Sequence, residues 1–144
     1  MKPLSRIVAC ALLSAVVLGC SKPKSAQTKE EKIVPKATVT SDQMLEDYKK
    51  NEIAADQKYK NNPIQITGKV TAIKKTPLLG YYIGLGTPHE DQMYDVMCYL
   101  LKDDAAVEKR AVNLKEGDTV TLVGMCEGKA GGFMLVLRHC FFPD

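Results

Sequence analysis

The sequence predicts a mainly β domain: five strands in a small closed or sandwich-like antiparallel sheet, with a helix before the first strand and a short helix between strands 3 and 4. Three observations indicate this class. Apolar residues occupy every second position from Ile64 to Ala72, four further apolar runs of strand length are separated by turns, and a helical periodicity precedes them all. A chain of 144 residues allows one such domain.

Composition and charge are those of an ordinary globular chain. Hydrophobic residues make up 45% and charged residues 26%, which argues against a disordered chain or a membrane bundle. The formal net charge is +3, and loss of Lys2 and Arg6 with a leader would leave 20 − 2 = 18 basic against 17 acidic residues, or +1. A near-neutral body gives no electrostatic reason to expect nucleic acid or an acidic membrane surface as a partner.

The first 20 residues have the pattern of an export leader. Lys2 and Arg6 precede the apolar run 7–18, which has the length of a signal-peptide core and is too short to span a bilayer. The run then ends in Val-Leu-Gly-Cys20, a motif that resembles a bacterial lipobox. This resemblance predicts a signal peptide over residues 1–19. It also predicts that Cys20 is lipidated and that its acyl chains bind the membrane. The expected location is the cell envelope, at the outer membrane facing the periplasm if there are two membranes. An ordinary secreted protein or an N-terminal membrane anchor is the alternative.

Residues 20–39 are rich in Lys, Ser, Thr and Pro, which predicts a flexible tether before a folded domain over 40–144. A helix is expected to begin near Thr40, because Gln43 completes a capping box. Its apolar stripe includes Tyr48 and Tyr59, which we expect in the core, and Asn-Asn-Pro at 61–63 ends it.

The strands are expected at 64–73, 81–85, 94–101, 119–126 and 133–142, with a short helix or ordered loop over 102–113. The run 94–101 is apolar at both alternating sets of positions, which indicates a central strand.

Several short motifs resemble one family of exported bacterial proteins. They are Asn51-Glu52 with the alanines and tyrosine that follow, Ile66-Thr67-Gly68-Lys69-Val70, Cys98 in its apolar strand, Leu114-Lys115-Glu116-Gly117-Asp118 and Leu137-Arg138-His139-Cys140. The chain resembles the tRNA_anti-like family over about residues 43–141. The resemblance implies a five-stranded OB-fold barrel. The motifs are structural, so the resemblance brings no catalytic residue, and the family name does not indicate that the chain binds tRNA.

Three cysteines, Cys98, Cys126 and Cys140, remain after the leader and the lipidation site. An oxidising compartment favours a disulfide between two of them. A chain reversal at 128–131 would put Cys126 opposite Phe133 and Cys140 roughly 23 Å farther along the last strand, at ~3.3 Å per residue. In the implied OB barrel the third and fifth strands are neighbours, which favours a Cys98–Cys140 disulfide. Three buried thiols are the alternative. A metal site is not expected, because His139 and Cys140 are sequential on a strand and point to opposite faces.

No catalytic motif for a serine hydrolase, zinc protease or P-loop enzyme occurs, so neither catalytic residues nor a cofactor are predicted. The acidic pair Asp103-Asp104 and the pair His89-Glu90 are expected to be solvated loop charges.

The sequence therefore favours a membrane-anchored, non-catalytic binding module for an envelope protein, glycan or small ligand. Tyr81, Tyr82 and Tyr99 form the candidate binding face. The alternative is a single-stranded nucleic-acid-binding barrel, in which tyrosines stack on bases and nearby lysines contact phosphates (Tyr94, Lys69, Lys74, Lys75). Export and the near-neutral charge argue against nucleic acid.

Overall fold

A computed structural model describes residues 33–87 and 95–144. The predicted Cys20, His89, Glu90 and Tyr94 lie outside these ranges. The elements are β1 (Ala37–Thr40), α1 (Ser41–Lys50), α2 (Glu52–Tyr59), β2 (Pro63–Thr76), β3 (Gly80–Leu85), β4 (Val96–Leu100), α3 (Ala105–Val112), β5 (Thr119–Ala130) and β6 (Met134–Phe141). None of the described helices is long and apolar enough to cross a bilayer.

Five strands form a closed barrel, and the long strand β2 closes it by pairing with two other strands. The first half of β2 pairs with β5, from Pro63 opposite Met125 to Lys69 opposite Thr119. Its second half pairs with β3. The order β2-β3-β4-β6-β5 therefore returns to β2, and α3 lies in the chain between β4 and β5. The predicted five-stranded barrel, with its helix between the third and fourth strands, is confirmed.

Strand β1 lies beyond the predicted domain boundary at Thr40. It pairs in parallel with β2, with Ala37 opposite Ile64 and Thr40 opposite Thr67. The Lys36 amide also donates to the Pro63 carbonyl at 2.8 Å. The last residues of the predicted tether are thus part of the folded domain, because the half of β2 that does not reach β3 offers a free edge for pairing.

The predicted single helix is two helices that meet at Asn51. The side chain of Asn51 accepts a hydrogen bond from the Ala54 amide at 3.1 Å, so this residue caps the start of α2. The backbone of Asn51 is extended, and its amide bonds the Asp47 carbonyl to end α1. The predicted cap of the first helix is confirmed, because the Thr40 hydroxyl accepts from the Gln43 amide at 3.2 Å.

The core lies inside the barrel and beneath the two helices. Its alternating contribution from β2 is as predicted, with Ile64, Ile66 and Val70 buried. Tyr48 and Tyr59 are buried with them, which confirms their predicted core positions. Glycine at position 68 lets Ser41, the first residue of α1, pack against β2. A Cβ at that position would overlap the Ser41 hydroxyl oxygen.

The β5–β6 hairpin turns later than the sequence predicted. Strand β5 continues to Ala130, past an irregularity near Gly128, whose φ of 82° is left-handed. Cys126 consequently lies opposite Leu137, three residues before Cys140, and the predicted pairing of Cys126 with Phe133 is wrong. The predicted 23 Å separation along the strand does not hold for the same reason.

Candidate ligand-binding face

Two tyrosines pack against each other on the outer surface of the barrel. Tyr82 on β3 and Tyr99 on β4 are direct cross-strand partners, and their ring centroids lie 5.6 Å apart at an angle of 47°. Both side chains are half-buried. The neighbouring cross-strand pair, Ile83 and Cys98, is fully buried in the core. The alternation of the two strands therefore directs the tyrosines outward.

A basic side chain flanks the tyrosine pair on each side. Lys74 on β2 is the cross-strand partner of Tyr82 and is exposed. Arg138 on β6 places its guanidinium carbon 5.6 Å from the centre of the Tyr99 ring. We call these four residues, Lys74, Tyr82, Tyr99 and Arg138, the tyrosine row. It crosses four strands and presents two aromatic rings between two cations.

One acidic group contacts the tyrosine row, and a second lies farther along the same face. The Nε of Arg138 lies 2.6 Å from a carboxylate oxygen of Glu127, and both side chains are partly exposed. Along β3, a Cβ at Gly84 would lie 2.7 Å from the Thr71 hydroxyl oxygen, so this hydroxyl approaches the backbone of β3 closely. The same hydroxyl donates to Asp95 at 3.0 Å. The face is therefore of mixed charge and can take a ligand without large net charge.

The three predicted binding tyrosines are not on one face. Tyr82 and Tyr99 lie together, but Tyr81 follows the opposite alternation of β3 and pairs with Lys75, whose ammonium lies 5.4 Å from its ring centre. Adjacent residues on a strand point to opposite faces, so consecutive tyrosines cannot share a flat surface. Arg138 was not among the predicted site residues, and only the pairing of β4 with β6 brings it to Tyr99.

The remaining cysteines are inside the barrel as three buried free thiols, Cys98, Cys126 and Cys140. A left-handed His139, with a φ of 53°, adds a residue to β6 between Leu137 and Cys140 and turns Cys140 into the core. Burial, together with a hydrogen bond to the Cys98 thiol, raises the pKa of Cys140 well above its usual range. The Cys98–Cys140 disulfide stays a prediction. In this structure the two side chains are thiols that contact each other.

One of the polar side chains that the sequence singled out has a structural role. Asp104 caps α3 by accepting from the amides of Ala106 and Val107 at 2.9 and 3.0 Å. Within the described ranges, no group of three or more potential ligands could hold a metal ion.

The helices carry a concave surface that is separate from the tyrosine row. An open groove of about 280 Å³ lies between α1 and α2. Lys58 and Asp47, which line it, form an ion pair at 2.8 Å. Its lining consists of Asp47, Lys50, Asn51, Ala54, Ala55 and Lys58.

Comparison with known proteins agrees with this architecture. The family model named tRNA_anti-like matches residues 1–141, which confirms the resemblance in the sequence. No curated protein sequence is significantly similar to the chain. Among the matching solved structures is a crystal structure from Klebsiella pneumoniae subsp. pneumoniae MGH 78578, of a protein described provisionally as a nucleic acid-binding lipoprotein. It is 16% identical, covers 73% of this chain and 91% of that chain, and has a TM-score of 0.54. At this identity the likeness shows the fold alone.

Proposed function

The chain belongs to the tRNA_anti-like family, and we propose that it is a membrane-anchored envelope lipoprotein whose OB-fold barrel binds a ligand without catalysing a reaction. The single observation that carries the binding role is the tyrosine row, whose two rings lie on β3 and β4. The ligand class is an envelope protein, a glycan or a small molecule.

Support for the anchor comes from the leader. Two basic residues, a short apolar run and a Gly-Cys pair occur in the order that lipoprotein processing requires. Lipidation of Cys20 with several acyl chains would hold the protein on a membrane, because one chain alone gives only marginal binding. The structural neighbour from Klebsiella pneumoniae is also described as a lipoprotein. We place the protein at the outer membrane facing the periplasm in an organism with two membranes.

Support for the binding role comes from where the tyrosine row lies in the barrel. OB-folds bind oligonucleotides and oligosaccharides on the outer face of their second and third strands, which here are β3 and β4. The rings of Tyr82 and Tyr99 are held by mutual packing and by the sheet, so a ligand loses little side-chain entropy by contacting them. Partly exposed, immobilised aromatic rings are frequent anchors at binding surfaces.

The charges of the face define what the ligand should present. Lys74 and Arg138 suit an acidic group at either end of a flat or ring-shaped ligand, while Glu127 and Asp95 limit the net positive charge of the surface. A polyanion would therefore meet carboxylates as well as cations. This mixed character favours a glycan, peptide or small ligand.

Single-stranded nucleic acid is the second candidate, because two tyrosines between two cations is an arrangement on which bases stack and phosphates bind. The structural neighbour is described as nucleic acid-binding, which supports this alternative.

Variants of the unlipidated mature chain test the proposal and separate the candidates. Binding of peptidoglycan fragments, envelope extract components and single-stranded oligonucleotides would be measured at physiological salt for the wild type, Tyr82→Ala, Tyr99→Ala and the control Tyr81→Ala. We expect one ligand class to bind saturably. Tyr82→Ala and Tyr99→Ala should each lower the affinity for this ligand by on the order of tenfold. The control should bind as the wild type does. Saturable binding of oligonucleotides alone would select the second candidate. Equal losses in all three variants would contradict the site.

A further inference from the structure

The hairpin between β2 and β3 carries exposed apolar side chains at its end. Leu78 is 89% exposed, and Leu79 and Tyr81 are each 39% exposed. Lys74 and Lys75, which precede the turn, are exposed as well. We call these five residues, Lys74, Lys75, Leu78, Leu79 and Tyr81, the β2–β3 tip. Covering leucines that are exposed to this degree with an apolar phase or a binding partner lowers the free energy, because their apolar surface leaves water.

The turn holds the two leucines in place. The Thr76 hydroxyl accepts a hydrogen bond from the Leu79 amide at 3.2 Å and donates to the Gly80 carbonyl at 3.1 Å. Gly80 has a φ of 78°, a left-handed conformation that glycine adopts without strain. The apolar side chains are thus presented by a closed turn, so covering them costs little backbone entropy.

The charge of the hairpin is of one sign, although the mature chain is nearly neutral. The strands and turn of the hairpin, residues 63–85, contain no acidic residue and three lysines (Lys69, Lys74, Lys75). Of the carboxylates in residues 33–87 and 95–144, none forms an ion pair with Lys74 or Lys75. Lys75 instead lies 5.4 Å from the ring centre of Tyr81. Leucines, a tyrosine and exposed lysines are side chains that proteins use at an anionic membrane surface.

We propose that the β2–β3 tip is a membrane-docking element: Leu78 and Leu79 enter the headgroup region of a bilayer, and Lys74 and Lys75 contact anionic phospholipid headgroups. This inference rests on the proposed lipid anchor, which keeps the barrel close to the membrane. Twelve residues separate Cys20 from Ile33. Even fully extended, this segment spans no more than about 45 Å, so the anchored barrel stays within reach of the surface.

Docking would fix the orientation of the anchored barrel. Lys74 belongs to both the tip and the tyrosine row, and Tyr82 is the residue after Tyr81 on the same strand. With the tip in the headgroups, the row would lie next to the membrane surface, where it could bind a ligand that is itself at the bilayer.

Site-specific photocrosslinking in the full chain tests the docking element. A photoreactive amino acid replaces Leu78 in one variant and Val112, an 82% exposed apolar residue on α3, in the matched control. Each full-length protein is placed in vesicles containing phosphatidylglycerol and in vesicles of phosphatidylcholine alone. Both positions are fully on the surface, so neither substitution should disturb folding. Palmitate labelling of the same samples reports the lipid anchor separately.

We expect lipid adducts at position 78 to exceed those at position 112 by on the order of tenfold in the anionic vesicles. The excess should fall several-fold in phosphatidylcholine and in the double variant Lys74→Glu, Lys75→Glu. Equal adducts at the two positions, no lipid adduct at 78, or adducts at 78 with protein only would overturn the docking proposal. The two positions are compared in chains that carry palmitate, so both share the same anchor and a difference between them reports docking alone. An unlabelled chain would contradict the anchor alone.

Discussion

Replacing Asp47 with Asn should loosen the contact between α1 and α2 in a pH-dependent way. The Asp47 carboxylate accepts hydrogen bonds from Lys58 at 2.8 Å, from the Tyr59 hydroxyl at 2.5 Å and from the Gln43 side chain at 2.8 Å. Lys58, and after it Tyr59, lower the pKa of Asp47 from 3.8 to about 2. A change of this size corresponds to about 2.5 kcal/mol between the two protonation states. Solvent screening at the exposed Lys58 reduces this to roughly 1–2 kcal/mol of folding stability.

The sign of the pH dependence follows from the lowered pKa. An unfolded chain binds the proton at Asp47 more tightly than the folded chain, so the stabilisation is present above about pH 4 and is lost as the pH falls towards 2. Denaturant unfolding of the unlipidated mature chain, followed by circular dichroism, would measure this. We expect Asp47→Asn to lower the free energy of unfolding at pH 7 by roughly 1–2 kcal/mol, and this difference from the wild type to shrink near pH 2.

The neighbouring carboxylate provides the control for this experiment. Glu46 pairs with Lys50 at 3.0 Å on the exposed side of α1. Surface pairs of this kind contribute little, so Glu46→Gln should change the unfolding free energy less than Asp47→Asn does. Equal effects of the two variants, or a loss in Asp47→Asn that does not depend on pH, would refute the assignment of Asp47 as the link between the helices.

Three further predictions concern packing, processing and redox state. Gly68→Ala should lower the unfolding free energy by roughly 1–3 kcal/mol, because its Cβ would meet Ser41, and adding Ser41→Gly should restore most of the loss in the same denaturation assay. No recovery in the double variant would show that another contact is responsible. Cys20→Ser should abolish palmitate labelling and leave unprocessed precursor on a gel, whereas unchanged labelling would exclude this lipidation site. Thiol titration of the denatured, unreduced soluble domain, which lacks Cys20, should find one free thiol if Cys98 and Cys140 are joined, and three free thiols would rule the disulfide out.

The periodicity of the sequence predicted most of the barrel, because each strand has one face in a single core. Alternation from Ile64 to Val70 located β2, and the apolar run at Val96–Leu100 located β4, a strand paired on both edges. Strand β1 was missed since four residues with one buried apolar side chain, Val39, carry too little periodicity to separate from a tether. The break between α1 and α2 was missed because Asn51 is polar and fits the exposed face of a continuous helix equally well.

Local backbone irregularities limited the prediction of the candidate site. The bulge at His139 changes which β6 residues face inward. It could not be predicted, because the apolar periodicity of a sequence does not indicate which residue has a positive φ. The continuation of β5 through Gly128 likewise moved the partner of Cys126 from Phe133 to Leu137. Cross-strand neighbours such as Tyr82 and Tyr99 depend on register, which a single sequence does not specify.

Binding of the ligand at the tyrosine row is tested most directly by amide chemical-shift mapping. Isotopically labelled, unlipidated mature chain would be titrated with the ligand class that binds it. We predict that the largest saturable shift changes centre on Tyr82 and Tyr99 and extend to Lys74 and Arg138. Shift changes confined to the groove between α1 and α2, with the tyrosine row unchanged, would show that the ligand binds the helices and not the row.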